Sequence, residues 1–209
     1  MSESRRVPSY KEEFEQNGYV ILRNLFTREE VRTMKEEAAA ILQKFGWHDR
    51  SGVYLGMAKN SDVFKQAAQA PGLVPALKEI IGDYVIFMND KLVLKDAATD
   101  FGSPWHQDYP YWFGSNKYSV WIALDKATKE NGCLRVLPGS HKFGSMDHRN
   151  VEDSDHGFVY RLREEDIDPS AVVDFEAEAG DALIFHDLLY HASYPNTSGS
   201  DRWALISTY

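Results

Sequence analysis

The sequence predicts a mainly β domain with flanking α-helices, a β-sandwich or barrel buttressed by helices at its N-terminal end. Three observations carry this expectation. Helical spacing of apolar residues is confined to residues 1–82. From 83 to 209 the chain turns to short β-branched and aromatic runs. Turns rich in Gly, Pro and Asn punctuate those runs, as they do in sandwiches and barrels. At 209 residues the chain fits one domain, since all-β domains often run to about 200–250 residues.

Residues 9–17 read as a short amphipathic helix with Tyr10 and Phe14 on one side, stopped by Asn17-Gly18. Tyr19-Val-Ile-Leu22 follows as a strand. Thr27 and Glu30 have capping-box spacing. Val31, Met34, Ala38, Ile41, Leu42 and Phe45 then recur at near-helical spacing, so that helix buries one face against a sheet. Residues 46–62, rich in Gly, Asp, Asn and Ser, read as a long loop of the kind that is often functional. A helix is expected around 62–70, broken by Pro71-Gly72, and another over 73–81, ended by Gly82.

Tyr84 to Leu94 has strand composition, and 95–104 reads as a loop delivering the chain to His106. Tyr118 to Leu124 is the next strand. Asn131-Gly132 is a strong turn signal, after which Cys133 to Leu137 returns as a strand. Residues 141–169 are polar and irregular, either a lid or a solvated insertion. The stretches 171–175, 182–186, 188–193 and 202–208 complete the strands.

Charge and composition exclude several functions. With 23 Lys+Arg against 32 Asp+Glu the net charge is −9. That argues against nucleic acid, whose partners cluster basic residues. No stretch approaches the roughly 18 apolar residues of a membrane span, and the first residues lack a secretory apolar run. The lone Cys133 fits a reducing compartment and reads as a small core residue. A cytoplasmic protein with a small-molecule substrate is expected. The sequence carries no signal for oligomeric state.

The chemistry starts at His106-Gln107-Asp108. On a strand, residues two apart share a face, so an imidazole and a carboxylate would point to one place. Of seven histidines, those at 48, 141, 148 and 156 fall in loops. His186 and His191 are five apart, so an unbroken strand would send them to opposite faces, and only one should join the pair. The turn signal in 195–199 suggests a hairpin of 188–194 with 201–208. Its register would set His191 opposite Arg202, with Ser193 on the same face. Two histidines and a carboxylate form the facial triad of non-haem Fe(II) oxygenases, though zinc hydrolases use the same ligand types. Arg202 favours the oxygenase, because an inward-facing guanidinium needs an anion such as the distal carboxylate of 2-oxoglutarate.

Three motifs then carry a resemblance: His106-Gln-Asp108, Asn131-Gly-Cys-Leu-Arg-Val-Leu-Pro-Gly-Ser-His141, and Gly180-Asp-Ala-Leu-Ile-Phe-His-Asp-Leu-Leu-Tyr-His191-Ala-Ser193. Together with Arg202, eleven residues after His191, they resemble the phytanoyl-CoA dioxygenase family. Phe14-x3-Gly18-Tyr-Val-Ile21 and Leu25-Phe-Thr27 match its N-terminal entry. The resemblance implies a double-stranded β-helix (jelly roll, cupin-like) with the N-terminal helices packed on the major sheet. It also implies a dioxygenase using Fe(II), 2-oxoglutarate and O2.

By resemblance His106, Asp108 and His191 would be the iron ligands and Arg202 the co-substrate anchor, with Ser193 its helper. Gln107 and Trp121 would border the co-substrate. The retained Asp108 disfavours halogenation, which replaces that carboxylate by a small residue. The expected reaction is hydroxylation of an unactivated C–H bond of a small metabolite, with succinate and CO2 released. Desaturation or cyclisation at the same centre, and a non-catalytic metal-binding or sensor domain, are the alternatives. Tyr109 and Trp112 are the first candidates for substrate contact, in an aromatic run that also includes Tyr111 and Phe113. Lys142, Arg149, Arg161 and Arg163 could meet an anionic substrate but read first as solvated charge.

Overall fold

Runs such as Val120-Trp-Ile-Ala123 and Ala182-Leu-Ile-Phe185 are apolar at every position, which requires cover on both faces of the sheet that holds them. A computed structural model supplies that cover. It describes residues 7–47, 52–96, 101–112, 116–150 and 158–209. Among the described residues the α-helices all precede residue 82, interleaved with two strands: α1 (Tyr10–Asn17), α2 (Arg28–Lys44), α3 (Met57–Asn60), α4 (Asp62–Ala67) and α5 (Leu73–Ile81).

The major sheet is antiparallel. Its order is β1 (Tyr19–Leu22), β10 (Ala182–His186), β5 (Tyr118–Ala123), β12 (Arg202–Thr208), β3 (Asn89–Lys95) and β2 (Gly52–Leu55). The minor sheet runs β4 (Ser103–His106), β11 (His191–Ser193), β6 (Leu134–Val136) and β9 (Val173–Phe175). A further pair, β7 (Arg149–Asn150) with β8 (Tyr160–Arg161), lies apart from both. The two facing sheets and the helices give the double-stranded β-helix that the resemblance implied.

Strand alternation sorts the core into two layers. Val120, Ile122, Ile184 and Leu205 pack outward against Met34, Leu42, Phe64 and Leu77 of the helices. Trp121, Leu183, Phe185 and Ala204 face inward, against Leu134, Val136 and Phe175 of the minor sheet. The helices start where the caps predict. Ser9 and Thr27 each accept from the backbone three residues on, and Glu12 and Glu30 reach back to close both capping boxes. Along α2, Val31, Met34, Ala38, Ile41 and Leu42 are buried, but Phe45 lies beyond the last turn and stacks on Trp47. On α1 only Phe14 is buried, and Tyr10 is exposed.

Two expectations need correction. The strand expected from Tyr84 begins at Asn89. Val85 and Phe87 still pack on the helical core, but the register with β12 stops at Asn89 opposite Thr208, so no ladder extends over 84–88. The loop expected over 46–62 contains β2 and α3. Both depend on distant partners: β2 pairs with β3, and the Asp90 carboxylate accepts from Ala58 N at 2.8 Å at the start of α3. From the 141–169 segment, Leu162 and Ile167 are buried, and Leu162 N donates to Trp105 O. This part packs onto the minor sheet; residues 151–157 lie outside the described residues.

Candidate metal centre

His106 and His191 are register partners across β4 and β11. Each ring is fixed by a backbone carbonyl two residues earlier: His106 Nδ1 donates to Pro104 O at 2.8 Å and His191 Nδ1 to Leu189 O at 2.9 Å. A carbonyl can only accept, so the Nδ1 atoms carry the protons and the Nε2 lone pairs are free to ligate. Orientation of this kind is what metal-binding histidines require.

Asp108 reaches the same point by another route. The strand stops at His106, and Asp108 has helical backbone angles (φ −75°, ψ −23°) at the start of a 3₁₀ turn, Tyr109–Tyr111. Strand alternation is therefore not what brings the carboxylate to His106. Ser119 Oγ donates to its Oδ2 at 3.2 Å, and its Oδ1 lies 3.7 Å from the Nε2 of each histidine.

All three ligand atoms fall within 4.8 Å of one another. These gaps exceed a hydrogen bond and suit an ion bridged by ligand bonds of about 2.0–2.2 Å. Burial, and then the neighbouring His191, push the His106 pKa down to about 3, so the ring stays neutral and available. Burial alone would raise the Asp108 carboxyl, but His191, Lys91, His106 and the Ser119 hydroxyl hold it below the usual carboxylate range. Two imidazoles and one carboxylate could hold a divalent metal.

A cavity lies between the sheets, its lining including His106, Asp108, His191, Trp121, Ser193 and Arg202. Arg202 is 2% exposed. One of its nitrogens, Nη2, donates to Gly132 O at 3.0 Å, and its Cζ lies 5.7 Å from the centre of the Trp121 ring. Nε and Nη1 are buried without a hydrogen bond. Burial pushes its pKa down to about 10. Orphaned charged donors inside a protein are costly, so their persistence beside a candidate metal site fits an anionic ligand there.

Gly132 makes this placement possible. Its φ of +94° disfavours a side chain, and an added Cβ would stand 2.8 Å from Tyr194 O.

His191 and Arg202 do share the cavity, but not through the expected hairpin. β11 pairs with β4 and β6, whereas β12 pairs with β3 and β5, so the two residues come from facing sheets. The exclusion of His186 also has a different basis. Leu189 N closes a turn onto His186 O, separating β10 from β11, and the His186 ring packs among Phe14, Tyr118 and His141.

Ser193 lines the cavity, yet its hydroxyl bonds to Lys95 Nζ (2.8 Å), Ser103 N and Ser103 Oγ rather than to Arg202. Gln107 is turned to the other side of the strand. Its amide donates to Gly144 O and Leu188 O and accepts from Met146 N, so it fastens backbone segments away from the cavity. Tyr109 and Trp112 are likewise absent from the cavity lining: the chain turns after His106, and the Trp112 ring lies under Lys117. Phe113, His48 and His156, and the side chain of Arg149, lie outside the described residues. Lys142, Arg161 and Arg163 do not line the cavity.

Residues that sequence reasoning passed over take those places. Phe158 sets its ring edge-on to His106, with centroids 4.9 Å apart. Lys95 pairs with Arg202 across the strands and donates to Ser193 Oγ and Tyr194 O. Lys91 lies two positions further from Val93 on the same face. The available signal was the alternation Lys91-Leu-Val-Leu-Lys95, once Leu92 and Leu94 are assigned to the helical core.

Comparison with known proteins agrees with this geometry. The chain is 27% identical to a probable alpha-ketoglutarate-dependent hypophosphite dioxygenase of Stutzerimonas stutzeri, covering 94% of this chain and 76% of that one. It is 26% identical to an L-proline trans-4-hydroxylase of Streptomyces griseoviridis, covering 84% and 69%. EvdO2 from Micromonospora carbonacea var. aurantiaca, solved with 2-oxoglutarate, shares the fold at a TM-score of 0.77 and 21% identity, covering 95% and 88%. Among the described residues no helix is long and apolar enough to cross a membrane. A family model, phytanoyl-CoA dioxygenase (PhyH), matches residues 14–204, and the chain belongs to that family.

Proposed function

We propose that this protein is an Fe(II)- and 2-oxoglutarate-dependent dioxygenase that hydroxylates an unactivated C–H bond of a small metabolite. The observation that carries this reading is Arg202: a buried guanidinium with two unsatisfied nitrogens, on the wall of the cavity that holds the triad. A zinc site that only activates water does not by itself require it.

His106, Asp108 and His191 would hold the metal, and Arg202 the distal carboxylate of 2-oxoglutarate. When bound, iron and 2-oxoglutarate together with O2 supply the oxidation: the co-substrate becomes succinate and CO2, and one oxygen atom enters a C–H bond. The chain contributes orientation and exclusion of water. The Nδ1 contacts present both Nε2 atoms to the metal, and Ser119 aims the carboxylate. Trp121 and Gly132 O hold the guanidinium in place, where it would receive the distal carboxylate of the co-substrate and so orient it. Phe158 closes one side over His106. The hypophosphite and proline enzymes among the relatives support a small polar substrate.

The test is spectroscopic. Anaerobic protein given Fe(II) and 2-oxoglutarate should develop a weak metal-to-ligand charge-transfer band. A well-folded protein without the band, or a His191→Ala/Asp108→Ala double variant that keeps it, rules the assignment out.

A further inference from the structure

Among the described residues, Lys91 is the cavity-lining cation that neither the chain nor the proposed cofactors account for. Arg202 has 2-oxoglutarate to meet, and Lys95 is engaged by Ser193 and Tyr194. The Lys91 side chain makes no hydrogen bond or ion pair with the described residues. It pairs with Ile206 on β12, whereas Lys95 pairs with Arg202. Lys91 and Lys95 thus mark two levels of one strand face, about 13 Å apart at roughly 3.3 Å per residue.

Arg202, on the Lys95 level, takes the far carboxylate of the co-substrate, which leaves the Lys91 level to a second ligand. The charges lead to the same place. Fe(II), the Asp108 carboxylate and dianionic 2-oxoglutarate, taken with the cations Arg202, Lys95 and Lys91, leave the cavity with an excess of positive charge that an anionic substrate would offset. Around Lys91 the wall is apolar, with Val53, Val93, Phe158 and Ile206. Lys91 is close enough for its charge to bear on Asp108 and His106.

We propose that Lys91 recognises an oxyanion of the primary substrate, so that the enzyme takes small organic acids whose apolar body lies along the Val93–Ile206 wall with a C–H bond toward the triad. A lysine suits this role as a point charge at the end of a flexible stem. The inference rests on the dioxygenase reading above.

The experiment uses the full chain with Fe(II) and 2-oxoglutarate. It offers short- and medium-chain carboxylic acids and cyclic amino acids, the matching phosphonates, and the matching primary amides. Succinate formation is measured. Binding of the same compounds is followed separately by ligand-observed NMR on anaerobic protein loaded with Zn(II) and 2-oxoglutarate.

Acids or phosphonates should bind and stimulate succinate formation, and their amides should not. Which of the two acid series wins identifies the oxyanion. Lys91→Met should raise the KM of the acid and weaken its NMR-detected binding by about 10- to 100-fold, the range of a charge-assisted hydrogen bond. The KM for 2-oxoglutarate should change far less, and Lys91→Arg should recover part of the loss. Amides that work as well as acids overturn the proposal. So does a Lys91→Met variant whose defect lies in the KM for 2-oxoglutarate. If the charge-transfer band forms in wild-type protein but no acid or phosphonate binds, the substrate proposal alone fails. If the band does not form, the dioxygenase reading fails with it.

Discussion

His106 and His191 sit directly opposite each other on neighbouring antiparallel strands, and the same device orients both: Nδ1 donating to the carbonyl two residues back. Their ring centroids are 4.1 Å apart.

His106→Ala, Asp108→Ala and His191→Ala should each lower Mn(II) or Fe(II) affinity by more than the 10- to 100-fold typical of outer-shell changes. Isothermal titration with Mn(II) measures this directly. Retention of near-wild-type affinity by any one of them removes that residue from the ligand set.

The acid side of the stability curve follows from His106. An unfolded chain protonates this ring near pH 6.5, whereas the folded chain resists until about 3. Between those values the unfolded state binds more protons, so this contribution is present above pH 6.5 and is lost as pH falls through the window. Thermal melts of metal-free protein should therefore fall in midpoint as pH drops from about 7 to about 4. His106→Gln, which cannot titrate, should flatten that slope.

Arg202 separates stability from function. Replacing a buried, incompletely satisfied charge by an apolar side chain is often neutral or stabilising. Arg202→Met should thus melt no lower than wild type in the absence of 2-oxoglutarate. Its affinity for 2-oxoglutarate should fall by about 2–5 kcal/mol, the usual cost of removing one partner from a buried charge pair. A variant that unfolds without regaining stability on any apolar replacement would mark Arg202 as structural.

Gly132→Ala tests the turn beneath the guanidinium. With φ at +94° and a backbone oxygen 2.8 Å from the new carbon, strain of roughly 1–3 kcal/mol is expected. Because Gly132 O accepts from Arg202, the loss should appear both in chemical denaturation and in the KM for 2-oxoglutarate.

Gln107→Ala should behave differently. It strips partners from Gly144 O, Leu188 O and Met146 N, costing about 1–3 kcal/mol of stability for buried groups left unpaired. The KM for 2-oxoglutarate should stay close to wild type in the folded fraction, which steady-state kinetics at low temperature can resolve.

What could be read from the sequence was what depends on neighbours in the chain. Ser9 with Glu12 and Thr27 with Glu30 close their boxes within one helical turn, so their spacing was sufficient. The residue types at 106, 108, 191 and 202 were equally visible, because few other chemistries need that set. Their routes into the site were not. Strand parity predicted the exclusion of His186 and the facing of Asp108, but turns at 187–190 and 108–111 interrupt the strands on which parity depends, so both arise by other routes. Lys91 and Lys95 look like solvated charges at a strand end. Only their register with Ile206 and Arg202 turns them inward, and that register is set by residues more than a hundred positions away. The helix at 57–60 was hidden for the same reason, being capped by Asp90 rather than by anything local.

The division of the cavity between two sheets has a bearing on how such an enzyme diversifies. The metal ligands are carried by β4, β11 and the turn after β4, whereas Arg202, Val93 and Lys91 are carried by β12 and β3. Selectivity can drift on one wall while the reactive centre on the other is inherited unchanged. The coupling between the walls is then mechanical. Ala204 and Leu183, fully buried between the sheets, act as spacers. In interiors that register the gain of a single methylene, enlarging either would alter the reach from metal to carboxylate without touching a single functional group.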